Sequence, residues 1–200
     1  MKKIVHILIF ILNITTIYSQ INLVPNFDFE QYSSCPTGQD QIHLATGWSK
    51  YNPISFTPDY YNACAPSNGF GVPQSLSLYQ EDNRGCSAYA GLVTWNNNGN
   101  RELIGSQLSQ PLVVGQKYFM SFKTVMGGGT IGGNYFESPS NNIGLKFSTV
   151  LYSTSNPAPI NNFAHLRSMN IITDTANWIL ITGSFIVDST YNYVMLGNFL

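Results

Sequence analysis

Apolar and polar residues alternate with a period of two along several short stretches of this chain, and helical periodicity is nearly absent. Over 117–125, Tyr118, Met120 and Phe122 fall on one face of an extended chain, opposite Lys117, Ser121 and Lys123. Ile143, Leu145 and Phe147 alternate with Gly144, Lys146 and Ser148, and Ile179, Ile181, Phe185 and Val187 line one side of 178–187. Each pattern predicts a half-buried strand. Residues 88–95, 101–108 and 191–200 read as further strands. The stretch 21–30, INLVPNFDFE, reads as the first, with Phe27 and Phe29 on an aromatic face and Asn26, Asp28 and Glu30 on a polar one.

Between these stretches the chain is punctuated. Nine Pro and Gly residues from Pro36 to Pro73 recur too often for a helix or a long strand, so 31–83 is expected to be a loop region with short strands inside it. Its aromatic residues Trp48, Tyr51, Phe56, Tyr60 and Tyr61 serve either as lids over the core or as exposed platforms. Asn96 to Asn100 form a turn by composition. The glycine-rich stretch 126–142 lacks the lysine of a phosphate-binding loop and is followed by no helical pattern, so it is expected to be a surface loop. Regularly spaced strands with almost no helix predict an all-β fold, a β-sandwich or jelly roll with long Pro/Gly-rich loops.

The first 19 residues have the grammar of a cleaved secretory signal: Met1, Lys2 and Lys3, an apolar run over 4–12, and a small residue, Ser19, at the cut. The apolar run meets Asn13, Thr15 and Thr16 well short of the roughly 20 residues of a spanning helix. This places 20–200 outside the cell, secreted or at the cell surface, as a single module with no transmembrane segment, and that length buries a core unaided. Only 10% of the residues are charged and the net charge is −1, which leaves no electrostatic footprint for nucleic acid.

Export also changes how the three cysteines are read, because disulfides persist there. Cys35 and Cys64 bracket a Pro/Gly-rich loop whose closure would add about 3 to 4 kcal/mol, and they are the expected pair. Cys86 is then left free, paired between molecules, or buried as a small hydrophobe.

Sugar binding needs aromatic faces flanked by a few polar groups. Trp95, followed by Asn96, Asn97 and Asn98, and Tyr60 and Tyr61, followed by Asn62, fit that description, although core packing competes for the same rings. Catalysis has little behind it. His43 and His165 stand in no nucleophile or metal-protease motif, and nothing in the spacing of Asp59, Glu81 and Asp82 implies a glycosidase pair.

Several ordered motifs carry a resemblance. They include Asn22-Leu23-Val24-Pro25-Asn26, Ser34-Cys35-Pro36, Leu44-Ala45-Thr46-Gly47-Trp48, Thr57-Pro58-Asp59-Tyr60, Ala88-Tyr89-Ala90-Gly91, Arg101-Glu102, Phe147-Ser148-Thr149 and Gly197-Asn198-Phe199. Together they resemble the amino-terminal module of surface proteins from gliding-type Gram-negative bacteria, itself similar to jelly-roll carbohydrate-binding modules with a galactose-binding-like fold. The resemblance implies a binding or adhesion module of the cell envelope whose partners are polysaccharide or envelope proteins. It also implies a possible continuation beyond Leu200 into a closing strand and an OmpA-like or secretion tail. A structural calcium near the first strand is implied too, with Asp28 and Glu30 as its ligands, their alternative being ordinary solvated carboxylates. The alternative function is a structural spacer that positions another envelope domain, and a hydrolase whose residues meet only in three dimensions comes after it.

Overall fold

The computed structural model describes residues 21–65, 69–75, 78–79, 87–95, 99–131, 134–137, 139–159 and 163–200. The signal segment, Glu81, Asp82, Cys86 and Asn96 to Asn98, including the sugar-stacking neighbour Asn97, lie outside the described residues.

In chain order, a 3-10 turn, Ile42–Leu44, is followed by β1 (Trp48–Lys50), β2 (Asp59–Asn62), β3 (Gln74–Ser75), β4 (Leu78–Tyr79) and β5 (Ala88–Gly91). Then come β6 (Leu103–Gln107), β7 (Lys117–Thr124), β8 (Gly128–Ile131), β9 (Asn134–Glu137), β10 (Ile143–Ser148), β11 (Leu166–Arg167), β12 (Ile179–Ile186) and β13 (Tyr193–Asn198). The fold is all-β, and all the strand pairings are antiparallel. Among the described residues no helix is long and apolar enough to cross a membrane.

A five-stranded sheet, ordered β1-β6-β13-β10-β11, forms one layer. The register places Trp48, Ile104, Ser106, Val194, Leu196, Leu145 and Phe147 on one face of it. Two ribbons cover that face. β7 pairs with β12 along their whole length and lays Met120 with Val187 over Leu145, Phe147 and Val194. β2 pairs with β5 and brings Tyr60 and Ala88 to Trp48 and Ile104. The ribbons meet where the Tyr89 and Trp178 rings pack edge to face at 5.5 Å. The reverse face of the sheet, with Leu103 and Met195, is closed by Tyr51, Ala158 and Phe199. This arrangement is that of a sandwich, and the expected strands at 117–125, 143–148 and 178–187 are in place.

Two expectations are corrected. Residues 21–30 are no strand: they are coil and turn, with Asn26 (φ 47°) and Phe29 (φ 62°) in the left-handed region. The Asn26 side chain fixes this turn, donating to the carbonyls of Gln31 and Thr46 and accepting the Gln31 amide. Consequently Phe27 stands 54% exposed, while Phe29 turns inward to stack on Trp48 at 4.6 Å. The glycine-rich stretch is not a plain loop either, since β8 and β9 pair there as a hairpin.

The Cys35–Cys64 disulfide is formed, as expected. It ties the coil ahead of the 3-10 turn to the residues just beyond β2.

Candidate functional site

Glu102, directly ahead of β6, is a buried acid, 4% exposed. A buried carboxylate must be hydrogen-bonded to persist. Its Oε1 accepts the Thr57 amide at 2.7 Å and the Thr57 hydroxyl at 3.4 Å, and its Oε2 accepts the Val93 amide at 2.8 Å. One side chain therefore fixes two loops, 53–57 and 92–95. Between them opens a cleft of about 200 Å³, lined by Ser55, Phe56, Thr57, Val93, Asn100 and Glu102. Behind it, Asn52 holds the Glu102 backbone in place, donating to the Arg101 carbonyl at 2.9 Å and accepting the Leu103 amide.

The outer loop is secured from its other side by Lys50. Its ammonium pairs with Asp40 at 2.6 Å and donates to the carbonyls of Ile54 at 3.2 Å and Phe56 at 2.6 Å. Asp59, at the start of β2, accepts the Asp40 amide at 3.0 Å and the Tyr61 hydroxyl at 3.5 Å. Burial pushes the Asp59 carboxyl up to about 6 against the pull of the Asp40 amide, and the charges of Glu102 and Asp40 push the same way. Burial likewise raises the Glu102 carboxyl, although its amide bonds oppose the shift and Asp40 adds to it. Of these three carboxylates only Asp40 pairs with Lys50, and among the described residues neither Glu102 nor Asp59 has a salt-bridge partner.

Trp95 lies two residues beyond Val93. It is 49% exposed, close to Gly99, with the Arg101 guanidinium 5.0 Å from its ring centre. Arg101 donates to the Leu200 carbonyl, and its Nε is buried without a partner. Of the expected sugar-stacking residues, Trp95 alone presents a ring to solvent beside this cleft.

Tyr60 and Tyr61 are corrected: they are 0% and 2% exposed and have no face left for a sugar. Tyr60 points into the core beneath β2, donating its hydroxyl to the Phe29 carbonyl at 2.8 Å and accepting the Asn62 amide at 2.7 Å. Burial pushes its hydroxyl up to about 12. Tyr61, on the other side of the strand, is stacked between Phe70 and Tyr89. Both faces of β2 are covered, and adjacent tyrosines on a doubly covered strand are both core.

Asp28 and Glu30 sit on the Asn26 turn. Asp28 accepts the Glu30 amide at 3.4 Å, and Glu30 accepts the Ser87 amide. They offer two carboxylates of the six to eight oxygens that calcium takes. Among the described residues no three His, Cys, Asp or Glu side chains converge at the spacing of a metal site.

A second polar group lies across the molecule. His165 is enclosed by the rings of Phe147, Phe163, Phe185 and Tyr191. Its Nδ1 accepts the Phe147 amide at 3.1 Å, which puts the proton on Nε2, 3.3 Å from the Tyr191 hydroxyl; that hydroxyl donates to Asp188 at 2.6 Å. Desolvation drives the His165 imidazole down to about 4.

The Glu102 cleft escaped the sequence reading, although one signal was present. A lone acid next to the apolar pair Leu103-Ile104, at the head of a strand, has to be bonded to something once it is buried. No family model matches this chain, no curated protein matches it, and no solved structure matches its fold.

Proposed function

We propose that the chain is an exported, non-catalytic binding and adhesion module of the cell envelope that takes carbohydrate at the Trp95–Glu102 cleft. One observation carries the reading: the half-exposed Trp95 indole lies close to Gly99, the neighbour of Asn100, and Asn100 lines a cleft together with the buried Glu102. An apolar ring face with a few fixed polar groups is what a pyranose requires. The cleft suits recognition rather than hydrolysis, because Glu102 is committed to both walls and Asp59 is absent from the lining, whereas glycoside cleavage takes two carboxyl groups flanking one bond. Calcium held by Asp28 and Glu30 belongs to the same reading; its signature is a Tm that rises on adding calcium and no longer does so in Asp28→Asn.

The test is a glycan array with polysaccharide gel-shift measurements. Parent protein is expected to bind, and Trp95→Ala to bind at least about tenfold more weakly with an unchanged Tm, since a half-exposed ring contributes little to the core. Absence of binding, or a Trp95→Ala variant equal to the parent, overturns the reading.

A second reading, a spacer that assembles with other envelope proteins, is favoured by the outer face of the β7–β12 ribbon. Phe119, Leu180 and Ile186 are exposed there by 73%, 59% and 67%.

A further inference from the structure

The charge balance around the cleft is uneven. Asp40, Asp59 and Glu102 act on one another electrostatically, and among the described residues Lys50 is the one cation bonded to any of them. That lysine is fully committed: both Asp40 oxygens and the carbonyls of Ile54 and Phe56 take up its ammonium. Arg101 is adjacent in sequence but directs its guanidinium to Trp95 and to the Leu200 carbonyl. Glu102 therefore lines the cleft with its carboxylate holding hydrogen bonds from two amides and one hydroxyl and, among the described residues, no counter-ion. Three accepted bonds leave lone-pair capacity on a carboxylate, which offers about four sites. Phe56, an aromatic residue, belongs to the same lining. A carboxylate that lacks a cation, beside an aromatic ring in a small cleft, matches a protonated amine, which gains from the charge and from a ring face alike.

We propose that the cleft selects a ligand carrying a primary ammonium group, and, building on the carbohydrate reading above, that its preferred sugar is an amino sugar with a free amine. Acidic sugars are excluded by the same charge. The ammonium occupies the Glu102 end and the sugar ring lies toward Trp95.

Calorimetric titration at pH 7 with glucosamine, N-acetylglucosamine, glucose and ethylamine tests this. Glucosamine is expected to bind about tenfold more tightly than glucose or N-acetylglucosamine, with a preference that shrinks as salt is raised and disappears in Glu102→Gln. Because Glu102 also holds two loops, Asp59→Asn serves as the second variant. It removes one of the two unpaired charges from outside the lining and is expected to reduce the preference about two- to threefold without abolishing it. Equal binding of glucosamine and glucose overturns the amine selection and leaves the carbohydrate reading standing. Ethylamine bound with no sugar bound supports the amine site and overturns the carbohydrate reading. No heat with any of the four overturns both.

Discussion

Two buried titratable groups pull the pH dependence of stability in opposite directions. His165 has its imidazole lowered to about 4 by desolvation, so between that value and the ordinary value of 6.5 the unfolded chain binds a proton that the folded chain refuses. Its contribution is complete above pH 6.5 and is lost as pH falls toward 4. Asp59 has the reverse sign, because burial raises its carboxyl from 3.8 to about 6, and the folded chain holds a proton that the unfolded chain has released. Its contribution is complete below 3.8 and is lost as pH rises through 6. Glu102, also raised, adds to the Asp59 side. Between about pH 4 and 6 the slopes oppose, and Tm is expected to change little there. Asp59→Asn keeps an acceptor for the Asp40 amide and removes the buried charge. It is expected to stabilise the protein at pH 7 by on the order of 1 kcal/mol and to expose a Tm that falls steadily from pH 6.5 to 4. A variant less stable than the parent at pH 7 would show that the Asp59 charge is favourably compensated.

At the scale of elements, close approach decides which substitutions the sheet tolerates. Gly105 in β6 lies directly under the Tyr51 ring, and a Cβ there would overlap Cε2, Cζ and Cδ2 of that ring. Tyr51 is 1% exposed, with the sheet on one side and Tyr152 packed against it, so it has little room to retreat. Gly105→Ala is expected to cost about 1 to 3 kcal/mol in chemical denaturation, and Gly115→Ala, with open space around its Cβ position, to cost only the strain of φ 82°. The disulfide acts on a different element, the coil that leads into β2. With its ends 29 positions apart in sequence, its removal in a Cys35→Ser, Cys64→Ser double variant is expected to cost about 3 to 4 kcal/mol in the same assay.

Elements also explain which parts of the fold were legible in the sequence. β7 and β12 carry a clean alternation because each covers one face of a sandwich and leaves the other more open, strictly inside–outside along β12 from Ile179 to Ile186, whereas β10 alternates in sequence but is buried on both faces. Residues 21–30 imitate that alternation, but the Asn26 side chain bonds to Gln31 and Thr46 and bends the backbone into a turn that a hydrophobic pattern cannot reveal. β8 was hidden for the opposite reason, since its Gly128 and Gly129 give backbone pairing without a side-chain pattern, and its partner β9 is only four residues long. Tyr60 and Tyr61 could not be separated from surface platforms, because their burial comes from Phe70, Tyr89 and the β5 partner, all distant in sequence. The cleft has the same origin: Glu102 reaches Thr57 across 45 residues.

The whole molecule is held as one unit by the residues that touch both halves of the inner core. The cluster under β7–β12 and the cluster under β2–β5 lie on the same face of the five-stranded sheet, and Leu196 of β13 and Val24 of the amino-terminal coil pack against both. Leu196 sits opposite Leu145 on one side and Ile104 on the other, in the middle strand. Loosening either ribbon therefore uncovers side chains that the other ribbon helps to bury, and the two cannot unfold independently at low cost. A single cooperative transition is expected, with far-ultraviolet and near-ultraviolet circular dichroism and tryptophan fluorescence tracing the same denaturation curve. The fluorescence reports both regions, since Trp48 lies in the β2–β5 cluster and Trp178 next to β12. Leu196→Ala is expected to lower the midpoint of all three curves together, by about 2 kcal/mol or more in stability, because the truncated side chain leaves a gap bordered by both clusters. If only the near-ultraviolet signal moved, or if the curves separated in the variant, each ribbon would be folding over its own half of the sheet, and the loops around Glu102 would then depend on the β2–β5 half alone.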